Sequence, residues 1–248
     1  MTKAAPHLDR AAYYQEYWRD PKVTASPYLS WKAETTRVDP KIRGARAILD
    51  VGCGDGTVLA SLDRRDARLV GVDIGEDAIK KVKGLGFEGH EVDLESGNLP
   101  FPSDTFDVVC CYDVLEHLFA PGVLLGEMRR VVKPDGHLML CVPNTLNGFN
   151  RLAFLLGDYV DVMDTSHRHD EMFSNHIRLF SKRLFERFVA SLSLEVVERH
   201  FYFPDRFTDS RFPLPTAINA LVRGTHLHET VPSVFALGFL YVCKRADG

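Results

Sequence analysis

The run ILDVGCGDGTVL, residues 48–59, constrains this chain more than any other segment. An apolar stretch ends at Val51, then come Gly52, Gly54 and Gly56, and a helical pattern begins. Such a run predicts a buried strand, a sharp turn that lets backbone approach a ligand, and a helix N-terminus facing that ligand. Its spacing is G-x-G-x-G, with Thr57 where a dinucleotide fingerprint would have its third glycine. Asp50 stands just before the turn. A carboxylate there repels a diphosphate but attracts a ligand carrying sulfonium and ammonium groups. The pattern therefore points away from a nicotinamide dinucleotide and toward S-adenosylmethionine.

Around this loop the texture is rhythmic. From Ala45 to Pro143, apolar strand-like runs alternate with helical patterns, which predicts βαβ units and a parallel sheet. The expected strands are Ala47–Val51, Leu69–Asp73, a weaker one over Phe87–Val92, Phe106–Tyr112 and His137–Val142. Helices are expected at about 56–65, 76–84 and 120–132, with Pro134-Asp135-Gly136 as a turn before the fifth strand. Beyond Pro143 the rhythm breaks. Residues 181–190 read as an amphipathic helix with Ser181 as its N-cap. Leu194–Phe203 and Val234–Cys243 read as late strands, separated by an aperiodic stretch rich in Pro, Phe and Arg.

Two further acids fall at expected strand ends. Asp73 closes the second strand, where a carboxylate can accept hydrogen bonds from ribose hydroxyls. Asp93 closes the third, where it can accept from an adenine amino group while Leu94 packs on the ring.

Taken in order, Asp50-Val51-Gly52-Cys53-Gly54-Asp55-Gly56, Asp73, Asp93, FPSDTFDVVCCYDVLEHL and VVKPDGHLMLCVPN resemble the class I S-adenosylmethionine-dependent methyltransferases, in particular the ubiquinone-pathway O-methyltransferase branch. The resemblance covers roughly residues 45–143. It implies an α/β, Rossmann-like fold with a seven-stranded, mostly parallel sheet of order 3-2-1-4-5-7-6 and an antiparallel last strand, which Val234–Cys243 would supply. It also implies a cofactor site. Asp50, Gly52, Cys53, Gly54 and Gly56 would hold the methionine end, Asp73 and Ile74 the ribose, and Asp93 and Leu94 the adenine, with Tyr112 near the sulfonium. The expected division is an aromatic lid over 1–44, containing Tyr13, Tyr14, Tyr17, Trp18, Tyr28 and Trp31, and a methyltransferase domain over 45–248. Cap insertions are expected at about 144–180 and 204–232.

Methyl transfer from a sulfonium needs alignment and exclusion of water, and a hydroxyl acceptor also needs its proton removed. His117 follows the fourth strand in DVLEHL, at the sheet edge where ligands of such folds bind, and is a candidate base. A structural residue packed over the cofactor would look the same. His167, His169, Asp170 and His176 form a second polar cluster, in which one histidine is expected to meet the acceptor. The paired-acid pattern of catechol-type enzymes is missing, so no metal is expected. Phe201, Tyr202, Phe203, Phe207 and Phe212 either make an acceptor pocket apolar or, as expected for most of them, complete the core around the late strands, and Arg206, Arg211 and Arg223 either meet an anionic acceptor or are surface charges.

Composition narrows the partners. A net charge of −4 disfavours a duplex DNA binder, so the expected partner is a small-molecule acceptor met by a monomer or homodimer. The five cysteines include no CxxC pair, and four of them sit in apolar runs, which suits a reduced, cytoplasmic protein. No stretch has the length of a membrane-spanning helix. O-methylation of a small molecule is the leading expectation. An N-methyltransferase, or a protein that binds the cofactor without turnover, are the alternatives. The first lacks an Asn/Asp-Pro-Pro-Tyr/Phe sequence after the fourth strand, where Tyr112-Asp113-Val114-Leu115 stands instead.

Overall fold

Strands whose side chains are apolar on both faces must be covered on both faces, and that requirement organises the molecule. In β1 (Ala47–Val51), Leu49 and Val51 point to one side and Ile48 and Asp50 to the other; all four are buried. The computed structural model describes residues 27–64, 66–157, 176–203 and 216–246. Tyr13, Tyr14, Tyr17, Trp18, His167, His169, Asp170, Arg206, Phe207, Arg211 and Phe212 lie outside them.

Seven strands form one sheet: β1, β2 (Arg68–Asp73), β3 (Glu88–Glu91), β4 (Phe106–Tyr112), β5 (Val132–Pro143), β6 (Leu194–Tyr202) and β7 (Gly238–Arg245). Their order is β3-β2-β1-β4-β5-β7-β6, as the resemblance implies. The neighbours from β3 to β5 run parallel, and β7 runs antiparallel to both β5 and β6. The helices are α1 (Pro27–Val38), α2 (Pro40–Gly44), α3 (Thr57–Ser61), α4 (Glu76–Gly84), α5 (Pro121–Val131), α6 (Gly148–Leu155), α7 (Lys182–Ser191), α8 (Thr216–Gly224), α9 (Leu227–Thr230) and α10 (Pro232–Phe235).

One sheet face is packed by Leu124, Leu125 and Met128 of α5 and by Phe185 and Val189 of α7. The other is packed by Ile42 of α2, Val58 and Leu59 of α3, and Ile79 and Val82 of α4. Each fully buried aliphatic side chain of this kind contributes roughly 2 kcal/mol. Helix ends are capped where the sequence offers a cap. Ser181 accepts from the Leu184 N–H at 3.3 Å, as expected, and Asp39 accepts from the Lys41 N–H at 2.7 Å.

Three sequence expectations shift. The first helix stops at Ser61 rather than about 65, and Asp63 adopts a left-handed φ of 51° that breaks it. Pro134-Asp135-Gly136 does not precede the fifth strand but lies inside it. The pairing jumps from Phe106↔Val132 to Val108↔His137, so the extra residues bulge out of the ladder. The last strand begins at Gly238, not Val234, because Pro232–Phe235 closes a helical turn with proline at its start. The buried Asn144 side chain fastens that turn, donating to the Pro232 and Ala236 carbonyls at 3.2 and 2.8 Å.

All five cysteines are buried free thiols. No helix among the described residues is long and apolar enough to cross a membrane.

Candidate functional site

The C-terminal ends of β1 and β2 are tied together through the glycine loop. The N–H groups of Gly52 and Cys53 both donate to the Val72 carbonyl, at 2.8 and 3.1 Å. Gly52 has φ 74°, and a Cβ on it would overlap Cγ2 of Val114 in the loop after β4. Gly56, at φ 82°, forms the left-handed entry to α3. Glycine at 52 therefore serves two needs: the backbone conformation and the close approach of two loops.

Asp73 clasps this loop. Its carboxylate accepts from the Gly54 N–H on one oxygen and from the Gly75 N–H on the other, each at 2.9 Å. Burial raises its pKa, against the pull of those same N–H groups. Each oxygen keeps a lone pair beyond the one engaged. Ile74, next in the chain, is half-buried. The Val92 N–H donates to the Asp73 carbonyl at 2.8 Å, which carries the chain on to Asp93. Asp93 is exposed and caps a single 3-10 turn, accepting from the Glu95 N–H at 3.0 Å, while Leu94 packs on the core.

Asp50 is 2% exposed, and burial pushes its pKa from 3.8 up to about 7, with Lys32 pulling it down and Asp73 pushing it up. Lys32 was not foreseen. It stands on α1, and its ammonium is ion-paired with Asp113, the residue just after β4. Burial is the largest single influence on Lys32 and lowers its pKa, but the charge and hydrogen bond of Asp113, together with the charges of Cys141 and Glu116, outweigh it and the net shift is upward. Asp113 has a left-handed φ of 54°, which an aspartate tolerates better than most residues. Residues of α1, part of the expected lid segment, also meet Tyr112 and Tyr202. Trp31 lies against Tyr202 with ring centroids 5.2 Å apart. The Thr36 hydroxyl bonds that of Tyr112 at 2.7 Å, and the Tyr112 hydroxyl also contacts the Met139 sulfur at 3.6 Å.

Beyond Asp113, a 3-10 turn (Leu115–His117) presents Glu116 and His117. Glu116 is fully buried, and neither carboxylate oxygen has a hydrogen-bond partner among the described residues. Two imidazoles flank it. The Nε2 atoms of His117 and His176 each lie 3.9 Å from Glu116 Oε1, and the two rings are 4.9 Å apart. Burial raises the pKa of Glu116 and the Asp113 charge raises it further, while His176 and Lys32 act in the opposite direction.

A backbone latch brings His176 to this place. The N–H groups of Ile177 and Arg178 both donate to the Glu116 carbonyl at 3.0 Å. The Arg178 guanidinium in turn binds the carbonyls of Leu118 and Phe119. Sequence grouped His176 with His167 and His169, and the structure joins it to Glu116 and His117. The run DVLEHL contained two members of this group, but nothing in it signalled the pairing with His176 or the charge from Lys32.

Residues 49–140 match the family described as "Methyltransferase domain". The ubiquinone biosynthesis O-methyltransferase of Hahella chejuensis is 35% identical over 104 residues, covering 40% of this chain and 44% of that protein. The protein of the same description from Burkholderia orbicola is 26% identical over 212 residues, covering 80% of this chain and 87% of that one. The chain spans about half the length of several curated relatives it matches. A solved S-adenosylmethionine-dependent methyltransferase from Archaeoglobus fulgidus shares the fold with a TM-score of 0.62 at 20% identity, over 96% of this chain and 100% of that one. Residues 49–140 thus match a methyltransferase domain, within a fold shared with a solved S-adenosylmethionine-dependent methyltransferase. S-adenosylmethionine is the cofactor such a domain takes, as the glycine loop and Asp50 led the sequence reading to expect.

Proposed function

We propose that this chain methylates an oxygen atom of a small-molecule acceptor. When bound, S-adenosylmethionine supplies a methyl group on a sulfonium, a good leaving group that needs no activation by the protein. The observation that carries the oxygen reading is the group of Glu116, His117 and His176, a buried acid against two imidazoles at the edge of β4. A hydroxyl must lose its proton to become a nucleophile, and an imidazole held beside a buried carboxylate is suited to take it. The ubiquinone biosynthesis O-methyltransferases among the relatives support the same reading.

In this reading Asp50 and the backbone of Gly52, Cys53, Gly54 and Gly56 line the methionine end. Asp73 uses its remaining lone pairs for the ribose, beside Ile74. Asp93 and Leu94 border the adenine, and Tyr112 backs the methyl-bearing end. His167 and His169 belong to the cap over 144–180, with a second cap at 204–232 and a lid over 1–44. The net charge of −4 supports a small-molecule partner over nucleic acid, for a cytoplasmic monomer or homodimer.

The test is calorimetric titration of the purified chain with S-adenosylhomocysteine and, separately, NADH, followed by a turnover screen of phenols against amines. Micromolar binding of the first ligand alone, with product only from phenols, is expected. Turnover of amines and not phenols would sink the oxygen assignment.

A further inference from the structure

The pairing of β6 with β7 shifts register between Val196 and Glu198, a β-bulge. Such a bulge exchanges the faces to which later side chains point. Leu194 and Val196 pack on one side of the sheet, but beyond the bulge Phe201 packs there and Tyr202 turns to the other. Glu198 and His200 share the alternation of Tyr202 and face α1, whose Trp31 lies against Tyr202. Between this part of β6 and α1 stands a pocket of about 430 Å3, large enough for a small organic ligand. Its helical wall is Trp31, Glu34, Thr35 and Val38, spaced as one face of a helix. Lys32 and Thr36, which meet Asp113 and Tyr112, lie on the neighbouring face. None of the described lining residues belongs to the glycine loop or to the turn after β4.

Three acids, Glu34, Asp39 and Glu198, border the pocket, and two cations answer them. Arg37 lies 3.8 Å from Glu34 in an exposed pair, and the Lys41 ammonium is ion-paired with Asp39 and with Oε1 of Glu198. The pocket therefore keeps an excess of negative charge, while Lys41 already holds the place a metal ion would take between Asp39 and Glu198. Oε2 of Glu198 faces Nε2 of His200 at 3.7 Å, too long for a hydrogen bond. That His200 nitrogen is shielded from water and has no hydrogen-bond partner among the described residues, a cost that a donor from a ligand removes. With its proton on Nδ1, His200 accepts at Nε2, as the carboxylate does at Oε2, so one group with two N–H donors can bridge them. The Trp31 ring beside them favours a cation over a neutral donor.

We propose that this pocket binds a small molecule carrying a protonated primary amine on a short apolar chain. The ammonium group donates to Glu198 Oε2 and His200 Nε2, and its carbon chain lies along Trp31 and Val38. The site stands apart from methyl transfer and does not rest on the oxygen reading.

The test uses the full chain with Trp18→Phe, which leaves Trp31 as its single tryptophan, and follows Trp31 fluorescence on titration with n-butylammonium chloride. A saturable change is expected, undiminished by saturating S-adenosylhomocysteine. 1-Butanol, with the same chain and no charge, and tetramethylammonium, with the charge and no N–H, should each bind at least about tenfold more weakly, the scale of one hydrogen bond to a charged group. Glu198→Gln, which keeps the side-chain volume, should weaken n-butylammonium to a similar degree. No saturable response, or equal binding of 1-butanol, overturns the site, and both comparisons use the unaltered pocket, so they hold even where Glu198→Gln fails to fold. Equal binding of tetramethylammonium, or unchanged binding by folded Glu198→Gln, overturns the pairing with Glu198 and His200. Loss of the response under S-adenosylhomocysteine places the amine in the cofactor loops and overturns the separate site.

Discussion

The two halves of the sheet edge are built differently. At the ends of β1 and β2, the loop backbone and the Asp73 carboxylate are closed into a network in which donors meet acceptors. At the end of β4, Glu116 is buried with both oxygens unpartnered, and an exposed apolar surface stands on and just after α6, where Leu152, Phe154, Leu155 and Leu156 face outward. The first half is preorganised and short-range in sequence. The second gathers residues from α1, the β4 loop and the segment before α7. One sheet edge can thus pair a preorganised loop with a region assembled from contacts distant in sequence.

The sharpest way to break this contrast is His117→Ala. Turnover should fall by about two to four orders of magnitude, with S-adenosylhomocysteine affinity nearly unchanged by calorimetry. Equal loss of both would merge the halves into one site. Gly52→Ala is next: the left-handed backbone and the overlap with Val114 together cost about 3 kcal/mol, roughly a hundredfold in cofactor affinity. A double variant that also carries Val114→Ala should recover part of that loss; no recovery would mean that the backbone conformation alone matters.

Asp73→Ala should weaken cofactor binding by ~1–3 kcal/mol, and the amides of Gly54 and Gly75 should lose hydrogen-exchange protection with it. An unchanged dissociation constant would remove Asp73 from the ribose. A pH-dependent effect follows from Asp50, whose pKa in the fold is raised from 3.8 to about 7. The folded state favours the protonated form. The cofactor-free chain should therefore lose stability as pH rises from about 4 to about 7, by at most ~1.4 kcal/mol per pH unit. Cofactor affinity should rise over the same interval as the carboxylate ionises, and Asp50→Asn should flatten both slopes. A melting temperature independent of pH would show that the group is already ionised. The smallest effect should come from Arg68→Ala, which removes an exposed pair with Glu88 at the far end of β2. A change of less than about 1 kcal/mol is expected in chemical denaturation, with cofactor affinity untouched.

How much of this was legible in the sequence follows the same divide. Strand positions from β1 to β4, the glycine turn and the acids at strand ends were readable because periodicity and turn chemistry are local. The order of the strands came through family resemblance, since periodicity says nothing about which strands are neighbours. The start of β7 was misread because Val234 and Phe235 are as apolar as strand residues, and only the docking of Asn144 on that turn reveals a helix. Lys32 left no signal at all. A lysine in a polar helix is ordinarily solvated, and its burial depends on Asp113, which is distant in sequence. The union of His176 with Glu116 was equally hidden, because backbone hydrogen bonds rather than side-chain pattern bring it about.

The placement of β7 between β5 and β6 also has a consequence in time. Strands emerging from the ribosome in order can build β1 to β4 side by side as they appear. β6 then has no neighbour in the sheet, and β5 keeps an unpaired edge, until β7 has been synthesised and threaded between them. Such an open edge is prone to pair with another chain, so a newly made molecule is most vulnerable to aggregation just before its final strand arrives. The β5–β7–β6 edge is therefore the last part of the sheet to be completed, after the glycine turn that follows β1 has already formed.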